Sequence, residues 1–433
     1  MMEDTQVLWQ QTYKVSPRFL LWGLLILLAF MLFYPINYSL TTAFTFAMVP
    51  VAISWILLYP QTPLIRKEEF EPVLFLFVWL GYSLCSYIWA QDRLLAVDYS
   101  MLIFRYLFLF MLFSAAFRDH RLLSKLHLFL VVIAVLYIVT AVWEIVTFKH
   151  LSPSKYYGHL YFRPTGPFYG VNDLAAFMQL FLPFLLFLPN LYSKRWIKIG
   201  ALLSVLITIF VIVVQGARIA MLAIGAVLVW FLTFHTKART WVMIFLLIAL
   251  IWGVLNYYVP SLLSFGWKMF SREVNSFDAE STTVQMSSIN IRKQLFSETF
   301  DLVTLSGFMG VGGGNFEHYM DTDREFRTAG IINPHNWLLE IVGNFGVIIL
   351  AGFLYIYLRW LYLLYMKYRS SSGREKSLSL MYLVSLVLYL ASSSLPSSIR
   401  WHHLIWVYFA GINAFCFSSK PIYKDSECTS FKN

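Results

Sequence analysis

His335 and Asn336 stand where a polar stretch gives way to an apolar run, in the segment INPHNWLLEIVGNFG. An imidazole at such a boundary can accept a proton from a sugar hydroxyl near neutral pH. Asn336 has the side chain of a good N-cap, so it predicts a helix that begins just after His335. Glu340 shares a helical face with Asn336 at the i, i+4 spacing. A carboxylate so close to an apolar run needs a partner, which is either His335, oriented by it, or an arginine. The alternative is an interfacial histidine with no chemical role.

Two further cations sit beside helix-breaking residues. Arg163 lies in YFRPTGPFYGVND and Arg218 in QGARIAML. A guanidinium makes bidentate contacts to phosphate, as a diphosphate leaving group requires. Each arginine alone is equally well read as a side chain reaching for lipid headgroups. Arg292, on an amphipathic stretch, is a third candidate, against the alternative of a solvated helix face. Asn172 and Asp173 follow Arg163 closely enough to line the same site. Gly310, Gly312, Gly313 and Gly314 lack the βαβ surroundings of a dinucleotide fingerprint. They predict a sharp turn or a close backbone approach, with Gly312 and Gly314 as supporting positions. Arg105, Glu144 and Asp173, within or near apolar runs, need partners. His402 and His403, beside Arg400, either hydrogen-bond headgroups, which is the favoured reading, or line the same cavity.

The elements that must hold these groups are apolar. The 433 residues are 59% hydrophobic and 13% charged, about half the charge of an ordinary globular chain. This is the composition of an all-α polytopic membrane protein. Twelve runs are long enough to span, at 19–35, 38–59, 72–90, 98–117, 126–148, 167–190, 198–214, 217–235, 239–258, 336–365, 377–393 and 401–418. The seventh and eighth are nearly contiguous and predict a tight hairpin. With the N-terminus in the cytoplasm, the inner segments hold nineteen lysines and arginines and the short outer loops six. That bias puts both termini inside and the long loop outside. The net charge of +10 therefore reflects topology, and nucleic acid is not an expected partner. The expected organisation is spans one to nine over 1–258, an extracytoplasmic loop with short helices over 259–335, spans ten to twelve over 336–418 and a cytoplasmic tail over 419–433. Within the loop, residues 261–274 predict a helix lying on the membrane surface. Ile291, Leu295, Phe296, Phe300 and Val303 recur at helical spacing and predict the amphipathic helix that carries Arg292. Cys85, Cys416 and Cys428 form no metal-binding spacing, and no metal or other cofactor is expected.

Three blocks together resemble the O-antigen ligase and polysaccharide polymerase superfamily of bacterial polytopic glycosyltransferases. They are RPTGPFYGVNDLA at 163–175, QGARIAMLAIGAVLVWF at 215–231, and GVGGGNF with HNWLLEIVGNFGVIILAGFL across 310–354. The resemblance implies a GT-C-type enzyme of the bacterial cytoplasmic membrane with its site on the extracytoplasmic face. Its donor would be an undecaprenyl-diphosphate-linked glycan and its acceptor a glycan or glycolipid, with no metal required. His335 would be the catalytic base, and Arg163, Arg218 and Arg292 would hold the donor diphosphate. Ligase and polymerase both fit. The rival is a transporter or flippase for lipid-linked glycans. Against it, the two halves of the chain are unalike and the polar residues gather at one face instead of the midplane.

Overall fold

The structure is a computed structural model that describes residues 65–118, 120–151, 162–168, 170–235, 288–322, 331–395, 398 and 404–418. Every regular element among them is helical. In chain order the α-helices are α1 (Phe70–Cys85), α2 (Arg93–Ala116), α3 (His120–Thr147), α4 (Val171–Leu191), α5 (Arg195–Gln215), α6 (Arg218–His235), α7 (Ser288–Leu305), α8 (Asn315–Thr322), α9 (Trp337–Ser370), α10 (Gly373–Ser392) and α11 (Leu404–Phe417). Seven helical stretches are long and apolar enough to cross a membrane, and Arg218–Phe234 and Ile405–Phe417 are shorter apolar helices. These nine correspond to nine of the twelve expected spans. The first, second and ninth spans lie outside the described residues, as do the surface helix of 261–274, Arg400, His402, His403 and Cys428.

Helix α4 is the centre of the bundle, with nearly every side chain buried, and α3, α5, α6 and α10 pack around it. The expected sixth span starts at 167, but α4 begins only at Val171. The physical reason is the local sequence. Pro164 and Pro167 cannot donate backbone hydrogen bonds, and Gly166 takes a left-handed φ of 57°. Lipid is as apolar as the helices, so polar cross-links count toward their association. Ser385 Oγ donates to the Leu180 carbonyl at 2.7 Å and Tyr408 Oη to Ser385 Oγ at 2.9 Å. Gln179 Nε2 donates to the Leu388 carbonyl at 3.2 Å, and Trp360 Nε1 to Asn413 Oδ1 at 3.0 Å. Outward positions such as Val146, Leu222 and Ile348 are apolar and exposed, as a lipid-facing surface requires.

The hairpin between α5 and α6 is as tight as expected: Gly216, at φ 69° and ψ 26°, closes α5, and α6 starts two residues later. Helix α9 is broken at Gly346, where φ is 77° and ψ −177°. A break in an apolar helix frees backbone groups that lipid cannot satisfy. Here the glycine-rich segment fills the gap. Val311 and Gly312 donate their amides to the Gly343 and Asn344 carbonyls, both at 2.9 Å, and Val347 donates to the Phe308 carbonyl at 3.0 Å. The approach is close enough that a Cβ on Gly310 would lie 2.5 Å from Gly346 N, and one on Gly314 would lie 2.6 Å from the Tyr99 ring. Side chains add to the seam. Tyr82 Oη and Trp89 Nε1 donate to the Met309 and Gly310 carbonyls, and Ser86 Oγ accepts from Gly313 N. The glycine cluster thus splices the loop into α9 and against the α1–α2 turn.

Helix α7 forms as its periodicity predicts, but its faces differ from the expectation. Leu295, Leu302 and Val303 are buried, whereas Phe296 and Phe300 are exposed. Leu295 and Leu302 form a small separate core with Val311, Phe316 and Met320, against which Ile331 and Ile332 pack. One such core accommodates a single stripe of α7, so the two phenylalanines on the other side face out.

Candidate functional site

The predicted site residues fall in or next to the segments that lead into α4, α6, α8 and α9 and in the first turns of α7. Asn336 caps α9 as expected: its Oδ1 accepts from Leu338 N at 2.8 Å and Leu339 N at 3.2 Å. Its Nδ2 donates to Ser394 Oγ at 3.0 Å, and Trp337 N donates to the Ser393 carbonyl at 3.0 Å. His335 is fixed just outside this cap, half-buried, with a left-handed φ of 47°. That backbone region is costly for a residue with a Cβ, and such outliers concentrate at functional sites. One turn further, Glu340 is buried and accepts from Ser398 Oγ at 2.7 Å and Tyr99 Oη at 3.1 Å. Its hydrogen bonds to two hydroxyls tie α9 to α2 and to the segment after α10.

The three arginines come from three separate parts of the chain. Arg163 lies in the loop before α4, Arg218 opens α6, and Arg292 lies in the first turns of α7. The Arg163 guanidinium covers the α5–α6 turn, with Cζ 3.9 Å from where a Cβ of Gly216 would stand. Arg163 and Arg218 are near enough for their charges to repel, and so are Arg218 and Arg292. Burial, and then the charge of Arg218, hold the Arg292 guanidinium below its usual pKa. Arg292 is half-buried and not on a solvated face. Among the described residues, neither Arg163 nor Arg292 forms a salt bridge with a carboxylate. Like charges gathered this way favour an anion, and guanidinium groups suit one with several oxygens.

The structure therefore groups Arg163, Arg218 and Arg292. It places His335 three residues after Ile332, which packs in the same small core as α7. Gly312 and Gly314 serve the splice into α9 and the packing on Tyr99. Asn172 and Asp173 are in the first turn of α4, the first half-buried and the second buried.

Two residues that hold this site were not among the candidates. Glu144, near the end of α3, is fully buried. It accepts backbone amides from Leu151 at 2.8 Å, Thr165 at 2.6 Å and Gly166 at 2.8 Å. Gln215 Nε2 donates to the Pro164 carbonyl at 3.0 Å and to the Val171 carbonyl at 3.3 Å. The signal for Glu144 is in the sequence, because a carboxylate at the end of an apolar run must be satisfied by something. Gln215 carries no comparable signal.

Comparison with known proteins bears on this arrangement. Residues 202–354 match the family model described as O-Antigen ligase, a stretch that includes Arg218, Arg292, Gly312, Gly314, His335, Asn336 and Glu340. The chain is also 26% identical over 346 residues to the Teichuronic acid biosynthesis protein TuaE of Bacillus subtilis (strain 168), covering 78% of this chain and 70% of TuaE. These two matches support a likeness of the chain to the O-antigen ligase and polysaccharide polymerase superfamily.

Proposed function

We propose that this protein is a glycosyltransferase of the bacterial cytoplasmic membrane that transfers a glycan from undecaprenyl diphosphate to an acceptor sugar on the extracytoplasmic face. The observation that carries this reading is the grouping of Arg163, Arg218 and Arg292 at one end of an apolar bundle. A diphosphate offers the negative charge and the oxygens that guanidinium groups bind. The positive-inside bias of the sequence favours that end as the outer one.

In the proposed reaction His335 takes the proton from the acceptor hydroxyl as its oxygen attacks the anomeric carbon of the donor. The bond from that carbon to the diphosphate oxygen breaks, and undecaprenyl diphosphate departs with the electron pair. The arginines stabilise the charge that develops on the leaving group. Asn336 and Glu340 hold the start of α9, and with it His335, while Asn172 and Asp173 line the approach. These roles require neither a metal nor a nucleotide sugar. The name of the similar TuaE protein, in teichuronic acid biosynthesis, fits polysaccharide synthesis as the setting.

The test is reconstitution of the purified protein in liposomes with a lipid-diphosphate-linked glycan and candidate acceptors, followed by sizing of the products. A ladder of products identifies a polymerase and a single transfer a ligase. Donor carried across the bilayer without transfer would overturn the reading in favour of a flippase.

A further inference from the structure

We infer that Glu144 is a positioning residue for Arg163, an inference that rests on the proposed role of Arg163 in donor binding. The carboxylate sits near the end of α3 and is fully buried. A charge in such a place is costly unless it is satisfied in full. Its partners are backbone amides on either side of the loop that carries Arg163. Oε1 accepts from Leu151 N, and Oε2 accepts from both Thr165 N and Gly166 N. His150 Nδ1 lies 3.7 Å from Oε1 and 3.2 Å from Thr165 Oγ1, and the His150 ring stacks on Phe162 at 4.7 Å between centroids. Four residues around Arg163 are therefore referred to one carboxylate: His150, Leu151, Thr165 and Gly166.

The restraint reaches Arg163 through a short stiff path. Pro164 fixes its own φ, and the next two amides are held by Glu144. The Pro164 carbonyl accepts from Gln215, the residue just before the Gly216 turn that Arg163 covers. Gln215 also lies three residues before Arg218. One knot of Glu144, Thr165–Gly166 and Gln215 thus sets the Arg163 loop against the turn that presents Arg218. A carboxylate serving only to close a loop would not need this link to the second arginine.

The test is a double-mutant cycle in reconstituted protein, with KM for the lipid-linked donor and kcat measured separately. The variants are Arg163→Ala, Glu144→Ala, Glu144→Gln and the double variant of Glu144→Ala with Arg163→Ala. Loss of the charge-assisted bonds is expected to raise donor KM about 10- to 100-fold, with kcat much less affected. Glu144→Gln keeps one acceptor oxygen for Thr165 and Gly166, so it is expected to restore much of the loss and serves as the test where the alanine variant fails to fold. In the double variant donor KM should match that of Arg163→Ala alone, since a group acting through Arg163 has nothing further to lose. Additive effects, or a wild-type donor KM in both Glu144 variants while Arg163→Ala is impaired, would overturn the inference and leave the donor-site reading intact. Wild-type behaviour of Arg163→Ala would instead overturn the donor-site role of Arg163, and the inference with it.

Discussion

The two ends of the bundle treat their charges in opposite ways. At the end where α1 begins and α9 finishes, cations are matched to anions. Arg118 Nε donates to Glu69 Oε1 at 2.9 Å, and its Nη2 pairs with the other oxygen. Arg359 Nε lies 2.8 Å from Glu71 Oε2, and Lys367 Nζ reaches Glu375 at 3.6 Å and the Phe415 carbonyl at 2.6 Å. At the other end Arg163, Arg218 and Arg292 are grouped with one another. Glu144 holds backbone amides and Glu340 holds the hydroxyls of Tyr99 and Ser398. Paired charges explain themselves as anchors of the fold. Like charges held close together raise the energy of the folded chain, and that is tolerated where a ligand brings opposite charge.

Four substitutions bear on this contrast, taken in order of expected effect. His335→Ala should lower transfer by about 100- to 10,000-fold, the span for removal of a general base, while the protein remains folded and inserted. Transfer at the wild-type rate, measured as product formed per minute, would remove His335 from the chemistry. Gly310→Ala should cost more than about 3 kcal/mol of stability, because the new Cβ would meet Gly346 N at 2.5 Å and the left-handed φ of 78° is itself unfavourable for alanine. The measurement is thermal unfolding in detergent, and an unchanged midpoint would show that the splice into α9 has room to relax. Arg218→Ala should raise donor KM about 10- to 100-fold, as expected for loss of charge-assisted hydrogen bonds to phosphate. Arg359→Ala, at the paired end, should cost less than about 1 kcal/mol, since its partner Glu71 is 41% exposed and such pairs contribute little. Its donor KM should stay at the wild-type value. A rise as large as that of Arg218→Ala would erase the distinction between the ends.

Much of this was legible in the chain. The spans of α5 and α6 are apolar runs bounded by Lys194–Arg195 and by Gln215–Gly216–Ala217–Arg218, so composition alone delimits them. Asn336 announces the start of α9 because capping is a local property. The grouping of Arg163 and Arg218 was legible only as a shared face, through the topology rule. What was hidden depends on contacts distant in sequence. The Gly310–Gly314 segment reads as a turn, and nothing local says that it completes the hydrogen bonds of a helix broken at Gly346. The outward orientation of Phe296 and Phe300 was equally hidden, because periodicity fixes the spacing of an apolar stripe and not the width of the core that receives it. Glu144 demanded a partner, but its partners are backbone amides, which no sequence pattern marks.

The central claim is that the arginine end binds the donor diphosphate and the paired end does not. The most direct test is donor KM for Arg218→Ala beside Arg359→Ala, measured in the same liposomes with a lipid-diphosphate-linked glycan. Donor KM should rise about 10- to 100-fold for Arg218→Ala and stay unchanged for Arg359→Ala. Equal donor KM in both variants and the wild type would contradict it.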